Sequence, residues 1–207
     1  MTAGRTGAAA ASTNASRPRR ADATRNRQAL LAAATVCLHR DGNNVPMAVI
    51  AAEAGVGVGT LYRNFATRDD LLGTLTHRSM AQVQQNLQDA ELAGGTAPSI
   101  FKGFIESAIR QRNDLVLPLH GGPPVQWPAV AQIQREVNQR VADIIERGRE
   151  EGSIRRTVEA TEVIALGAML ARPHQPDPAW DDTCRHILHT FLAGLSVPPG
   201  STDATDL

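Results

Sequence analysis

The chain has 207 residues, 42% apolar and 3% aromatic, enough for one mid-sized domain or a small one joined to a larger one, with a sizeable core. Net charge is zero, yet residues 1–66 carry eight arginines, no lysine and three acids, a balance of +5 that leaves −5 on residues 67–207. No apolar run reaches the roughly 18 residues of a membrane span, the start lacks a leucine-rich secretory segment, and two lone cysteines, Cys37 and Cys184, read as buried thiols of a reduced, cytoplasmic protein rather than a disulfide framework.

Abundant alanine and leucine, with only short β-branched runs, predict an all-α protein. Residues 1–19 read as a loose basic tail. A first helix is expected from Asp22 to Arg40, with Leu30, Ala34, Cys37 and Leu38 at helical spacing, and Asp41-Gly42 stops it. Pro46 suits the first turn of a short second helix running to Ala54, with Val49, Ile50 and Ala54 facing inward. A third short helix runs from Gly57 to Asn64. Thr67 caps a fourth, with Asp69 and Asp70 in the first turn, where the helix dipole favours acids. Leu72, Leu75, Val83 and Leu87 carry its stripe to about Ala90.

A fifth helix, Ala97 to Arg112, packs Phe101, Phe104, Ile105 and Ala108. The stretch 115–128 is rich in proline and glycine and should be irregular, with one short helix. A seventh helix runs from Ala129 to Glu151 with Val130, Ile133, Val137, Val141 and Ile144 on one face. Two more close the chain: Ala160 to Arg172 and Pro178 to Leu195, the latter carrying Trp180, Cys184, Ile187, Leu188, Phe191 and Leu195. Residues 198–207 are polar and read as a second loose tail. The count is about nine helices.

Between the second and fourth helices stands Ala54-Gly55-Val56-Gly57-Val58-Gly59-Thr60-Leu61-Tyr62-Arg63-Asn64-Phe65. It is not a nucleotide loop, because it follows a helix rather than a strand, lacks the third glycine and has no Lys-Ser/Thr pair. A helix-turn-helix fits better. Two helices cross closely at a short turn; small Ala51 permits the approach and Gly55 accepts the positive φ of the turn. Val56 and Leu61 seal the pair. Gly57 then leaves the first N–H groups of the second helix open to a phosphate. The same spacing also describes an αα-hairpin inside any helical protein. Arg17, Arg19, Arg20, Arg63 and Arg68, placed around the pair, favour the DNA-binding version.

These residues resemble the TetR family of bacterial transcriptional regulators. The match is carried by Ile50-Ala51, Ala54-Gly55-Val56, Gly59-Thr60-Leu61-Tyr62-Arg63, Phe65 and Thr67-Arg68-Asp69-Asp70-Leu71-Leu72, within a stretch from Asp22 to Leu75. A weaker match is Arg147 to Arg155, similar to the region between helices seven and eight of many members. The resemblance implies a DNA-binding helix-turn-helix domain over 20–66 and an effector-binding and dimerisation domain over 67–197. It implies DNA contacts from Arg19, Arg20, Met47, Gly57, Val58, Gly59, Thr60, Tyr62, Arg63, Asn64 and Arg68. Members often carry a Ser-Lys pair where Gly57-Val58 stand, so contacts should shift to Thr60, Tyr62, Arg63, Asn64, Arg68 and the arginine arm. Thr60 and Tyr62 suit phosphates, Arg63 or Asn64 base edges, and Val58 a thymine methyl. Phe65 is expected in the core.

The expected partners are a double-stranded DNA operator, a second copy of the chain and an apolar or weakly polar small-molecule effector, with no cofactor. Repression relieved by the effector is the mode the resemblance implies. The dimer surface is assigned to Leu166, Gly167, Leu170, Leu188 and Phe191, whose alternative is to fill one protomer's core. The effector pocket is assigned to Phe104, Ile105, Ala108, Trp127 and Ile133. His120, His174, His186 and His189 complete no convincing metal set. Competing readings are a helical scaffold that binds DNA without sequence preference and a small helical enzyme, against which no Gly-x-Ser-x-Gly elbow or HExxH motif appears.

Overall fold

The computed structural model describes residues 16–118, 122, 124, 126–172 and 177–196. Among them are eight helices and no strand: α1 Ser16–Asp41, α2 Met47–Glu53, α3 Val58–Asn64, α4 Arg68–Ala93, α5 Ala97–Arg110, α6 Pro128–Glu150, α7 Ala160–Leu170 and α8 Pro178–Leu195. The all-α expectation holds. Helix α1 starts six residues ahead of the expected Asp22, so Arg17, Arg19 and Arg20 lie on its backbone rather than before it. The extra helix expected within 115–128 falls partly outside the described residues, as do the two ends of the chain, His120 and His174.

Local chemistry accounts for the boundaries. Pro46, Trp127 and Asp177 sit one residue ahead of α2, α6 and α8; Pro128 and Pro178 occupy first helical positions, where no N–H is needed. Thr67 and Asp70 close a reciprocal capping box at the start of α4, each side chain bonding the other's backbone N–H at 3.0 Å.

Two apolar clusters form. The first gathers Leu30, Ala34, Cys37 and Leu38 of α1, Ile50 and Ala51 of α2, Leu61 and Phe65 around α3, and Leu71, Leu72 and Leu75 of α4. The second gathers Leu87, Phe101, Ile105, Val141, Ile144, Val163, Leu188 and Leu195 from α4 to α8. Helix α4 runs through both. Both cysteines are buried free thiols, and burial pushes each above the usual thiol range. Inward stripes hold except for Val49 and Ile187, which are exposed at 38% each. Gly148, in the last turns of α6, is where α6 meets the start of α5: a Cβ there would stand 2.7 Å from that of Ala97.

Candidate nucleic-acid interface and ligand cavity

The crossing of α2 and α3 is built from the residues that the spacing singled out. Ala51 is wholly buried, and its carbonyl accepts the Val56 N–H at 3.0 Å while Ala52 accepts that of Gly55 at 3.0 Å. This paired closure needs a left-handed residue just past the helix, and Gly55 has φ +67°. Val56 packs on the first cluster and Leu61 is wholly buried. Gly57 flanks α3 with extended backbone, and its carbonyl takes the Thr60 and Leu61 N–H groups at 2.8 and 3.2 Å. The N–H groups of Val58 and Gly59 precede that first helical bond and have no acceptor within the helix.

One face of α3 is therefore pinned and the other is bare. Val58 is 42% and Tyr62 49% exposed. Gly57, Gly59 and Arg63 are exposed as well, and a Cβ added at Gly59 would meet nothing within 4 Å. The Arg63 guanidinium donates to Thr60 Oγ1 at 2.8 Å, a light tether that leaves most of its donors free. Asn64 donates its side-chain amide to the Thr60 carbonyl at 2.8 Å.

Two other expected DNA contacts have partners within the fold. Met47 turns into the first cluster, because it opens α2 on the buried face, and is withdrawn from the reading surface. Arg68 donates to the carbonyls of Asn43 and Val45 and so ties down the loop between α1 and α2. Arg27, which pattern reasoning missed, supports the far end of α3. Its guanidinium lies 4.2 Å from the Phe65 ring centre and donates to the Asn64 carbonyl at 2.8 Å. Phe65 is buried, as expected. The signal that would have found Arg27 is the aromatic it stacks on, which only the fold brings near.

A cavity of about 200 Å³ lies in the second domain. Met80 and Val83 of α4, Phe104, Ile105 and Ala108 of α5, Val130, Gln134, Val137 and Asn138 of α6, and Ile164, Gly167 and Ala168 of α7 line it, closed by Leu115, Leu117 and Pro118. No described lining residue carries a charge. Three of the five expected pocket residues, Phe104, Ile105 and Ala108, are there. Trp127 is not: its ring lies against α4 where Gly73 leaves space, and a Cβ on Gly73 would fall 2.1 Å from it. Ile133 instead packs on the outside of the second cluster.

The dimer assignment divides in the same way. Gly167, Leu170 and Leu188 are buried within the protomer, Gly167 against Ile105 and the other two in the second cluster. Leu166 and Phe191 stay partly exposed. Met169 at 69% and Ile187 at 38% are the large apolar side chains that α7 and α8 leave outside. Among the described residues no group of three or more histidine, cysteine, aspartate or glutamate side chains is gathered for a metal, and no helix is long and apolar enough to cross a membrane.

Comparison with known proteins agrees with this division. Residues 30–75 match the family model of bacterial regulatory proteins of the tetR family, and residues 102–197 match the C-terminal domain of SbtR-like transcriptional regulators. The TetR regulator from Mycobacterium vanbaalenii is 24% identical, with a TM-score of 0.57 over 87% of this chain and 100% of its own. A TetR regulator from Streptomyces coelicolor is 25% identical, with a TM-score of 0.53 over 83% and 99%. AibR, solved with isovaleryl coenzyme A and operator DNA, is 15% identical, with a TM-score of 0.68 over 83% and 98%. With its close-crossed helix pair, bare reading face and matching models across both domains, the chain belongs to the TetR family of bacterial transcriptional regulators and is a DNA-binding regulator of transcription.

Proposed function

We propose that the protein is a homodimeric repressor that reads a palindromic operator with α3 and leaves it when a small uncharged molecule fills the cavity between α4 and α7. The observation that carries the DNA half is the bare face of α3, with Val58, Tyr62 and Arg63 outward and Ala51, Leu61 and Phe65 buried beneath. Arg63 is the base-edge reader, with guanine its natural partner, and Tyr62 and Thr60 serve phosphates. A seven-residue helix reads few base pairs, so two copies with reading heads about 34–36 Å apart supply the specificity. Met169, Ile187, Leu166 and Phe191 form the apolar face that a second copy would cover.

The cavity supports the effector half. An ionised group inside it would lack a counter-charge among the described lining residues. The phosphates of a coenzyme A thioester do not suit this lining. A cavity of roughly 150 Å³ is known to hold benzene, so about 200 Å³ suits a single ring or short acyl chain, its polar end towards the side-chain amides of Gln134 and Asn138. Such a molecule releases DNA only in proportion to its preference for the non-binding arrangement. Sedimentation of the full chain tests the dimer. A dimer that Met169→Glu with Ile187→Glu splits supports the surface; a monomer in the unaltered protein contradicts it.

A further inference from the structure

We propose that the tripeptide Leu115-Val116-Leu117 transmits cavity occupancy to the DNA-reading domain, with Val116 as the positioning residue; this rests on the effector cavity proposed above. Leu115 and Leu117 line the cavity. Val116 between them is 2% exposed and belongs to the first cluster, the one that holds Ile50, Ala51 and Leu61 under the reading helix. It is the one buried member of that cluster from beyond α4 among the described residues. Three consecutive residues thus reach both the cavity and the first cluster.

The main chain of the tripeptide is latched on every residue. The Leu115 carbonyl accepts from His39 Nε2 of α1 at 3.0 Å. The Val116 N–H donates to the buried Ser79 Oγ of α4 at 2.9 Å. The Leu117 carbonyl accepts the Gly122 N–H at 2.9 Å, and a Cβ at Gly122 would stand 2.6 Å from that oxygen. Close-packed interiors pass on displacement rather than absorb it. An occupant that pushes Leu115 or Leu117 outward therefore displaces Val116 and the latch to His39 of α1 together, and α2 and α3 follow. Helix α4 is the other bridge, with Leu71 and Leu75 in one cluster and Leu87 and Ala90 in the other. It meets Val116 at the main chain, through Ser79, a bond that Val116→Ala keeps, so truncating the side chain leaves that route in place.

A mutant cycle in the full chain separates them. Ala168→Phe places a tethered phenyl group in the cavity from α7. Affinity is measured for a DNA sequence selected with the unaltered protein, and amide exchange is followed in α2 and α3. Ala168→Phe should weaken DNA binding about fivefold or more, the scale of a typical coupling, and speed exchange at Ile50 to Leu61. In a Val116→Ala background both effects should nearly vanish. Equal effects in the two backgrounds, or none from Ala168→Phe in a folded protein, would overturn the proposal. If Ala168→Phe does not fold, Leu117→Ala enters the same cycle from the cavity side of the tripeptide. If no DNA sequence is enriched at all, the operator reading fails, while the exchange arm still decides the role of Val116.

Discussion

At Gly55 a single backbone angle holds the reading head in place. No heavy atom stands within 4 Å of where a Cβ would be, so strain at φ +67° is the only penalty for alanine there. Gly55→Ala should cost about 1–2 kcal/mol, the usual penalty for a left-handed residue with a Cβ, read as a lower denaturant midpoint without a changed slope. His39 gives a pH dependence. Desolvation of its ring holds its pKa below the ordinary 6.5, against the Leu115 carbonyl bond and the Asp114 charge, which act the other way. The unfolded chain then takes up the proton first, so stability falls as pH drops through about 6.5 and on towards the folded value. His39→Gln keeps a donor for the carbonyl and should flatten that part of the pH profile of unfolding; an unchanged profile would contradict the assignment. Residue roles were legible in the sequence where the chemistry is local. Ala51, Gly55, Leu61 and Thr67 act within a few residues of themselves. Met47 and Arg68 were not legible, because their destinations, a core and two carbonyls of a distant loop, exist only once α1, α2 and α4 have met.

Among the elements, the last helix was legible to the residue, with Pro178 at its first position and an Asp177 side chain accepting the Ala179 N–H at 3.0 Å. Helix α1 was misjudged at its start, where Ser16–Ala21 has no apolar stripe to mark it. The inward stripes of α7 and α8 were visible, but the partner they meet was not. A stripe that fills one protomer looks like a stripe that meets a second, and Gly167, Leu170 and Leu188 chose the former. Gly148 shows how tightly such helices are fitted. Gly148→Ala would push its Cβ against Ala97 and, at 3.1 Å, Ile154. Overpacking of this kind costs about 1–3 kcal/mol, and a melting temperature several degrees lower is expected. An unshifted melt would mean that α5 and α6 separate more freely than their packing indicates.

Across the whole molecule, a basic first third and an acidic remainder cancel to zero net charge. That asymmetry turns the reading head towards a polyanion and the body away from it, so binding should weaken steeply with salt. The helical class could be recognised from composition, and the reading head from its spacing together with the arginines around it and the family it resembles. Of the cavity only the α5 side, Phe104, Ile105 and Ala108, could be, since Leu115, Gln134 and Ala168 join it through tertiary packing. Selection of bound sequences from random duplex DNA, with the purified chain and with Arg63→Ala, tests the central claim most directly. The account predicts a two-fold symmetric motif whose preference relaxes at one position of each half-site in the variant. Recovery of no motif, or of the same motif undiminished from Arg63→Ala, would contradict the assignment of α3 as the base-reading helix.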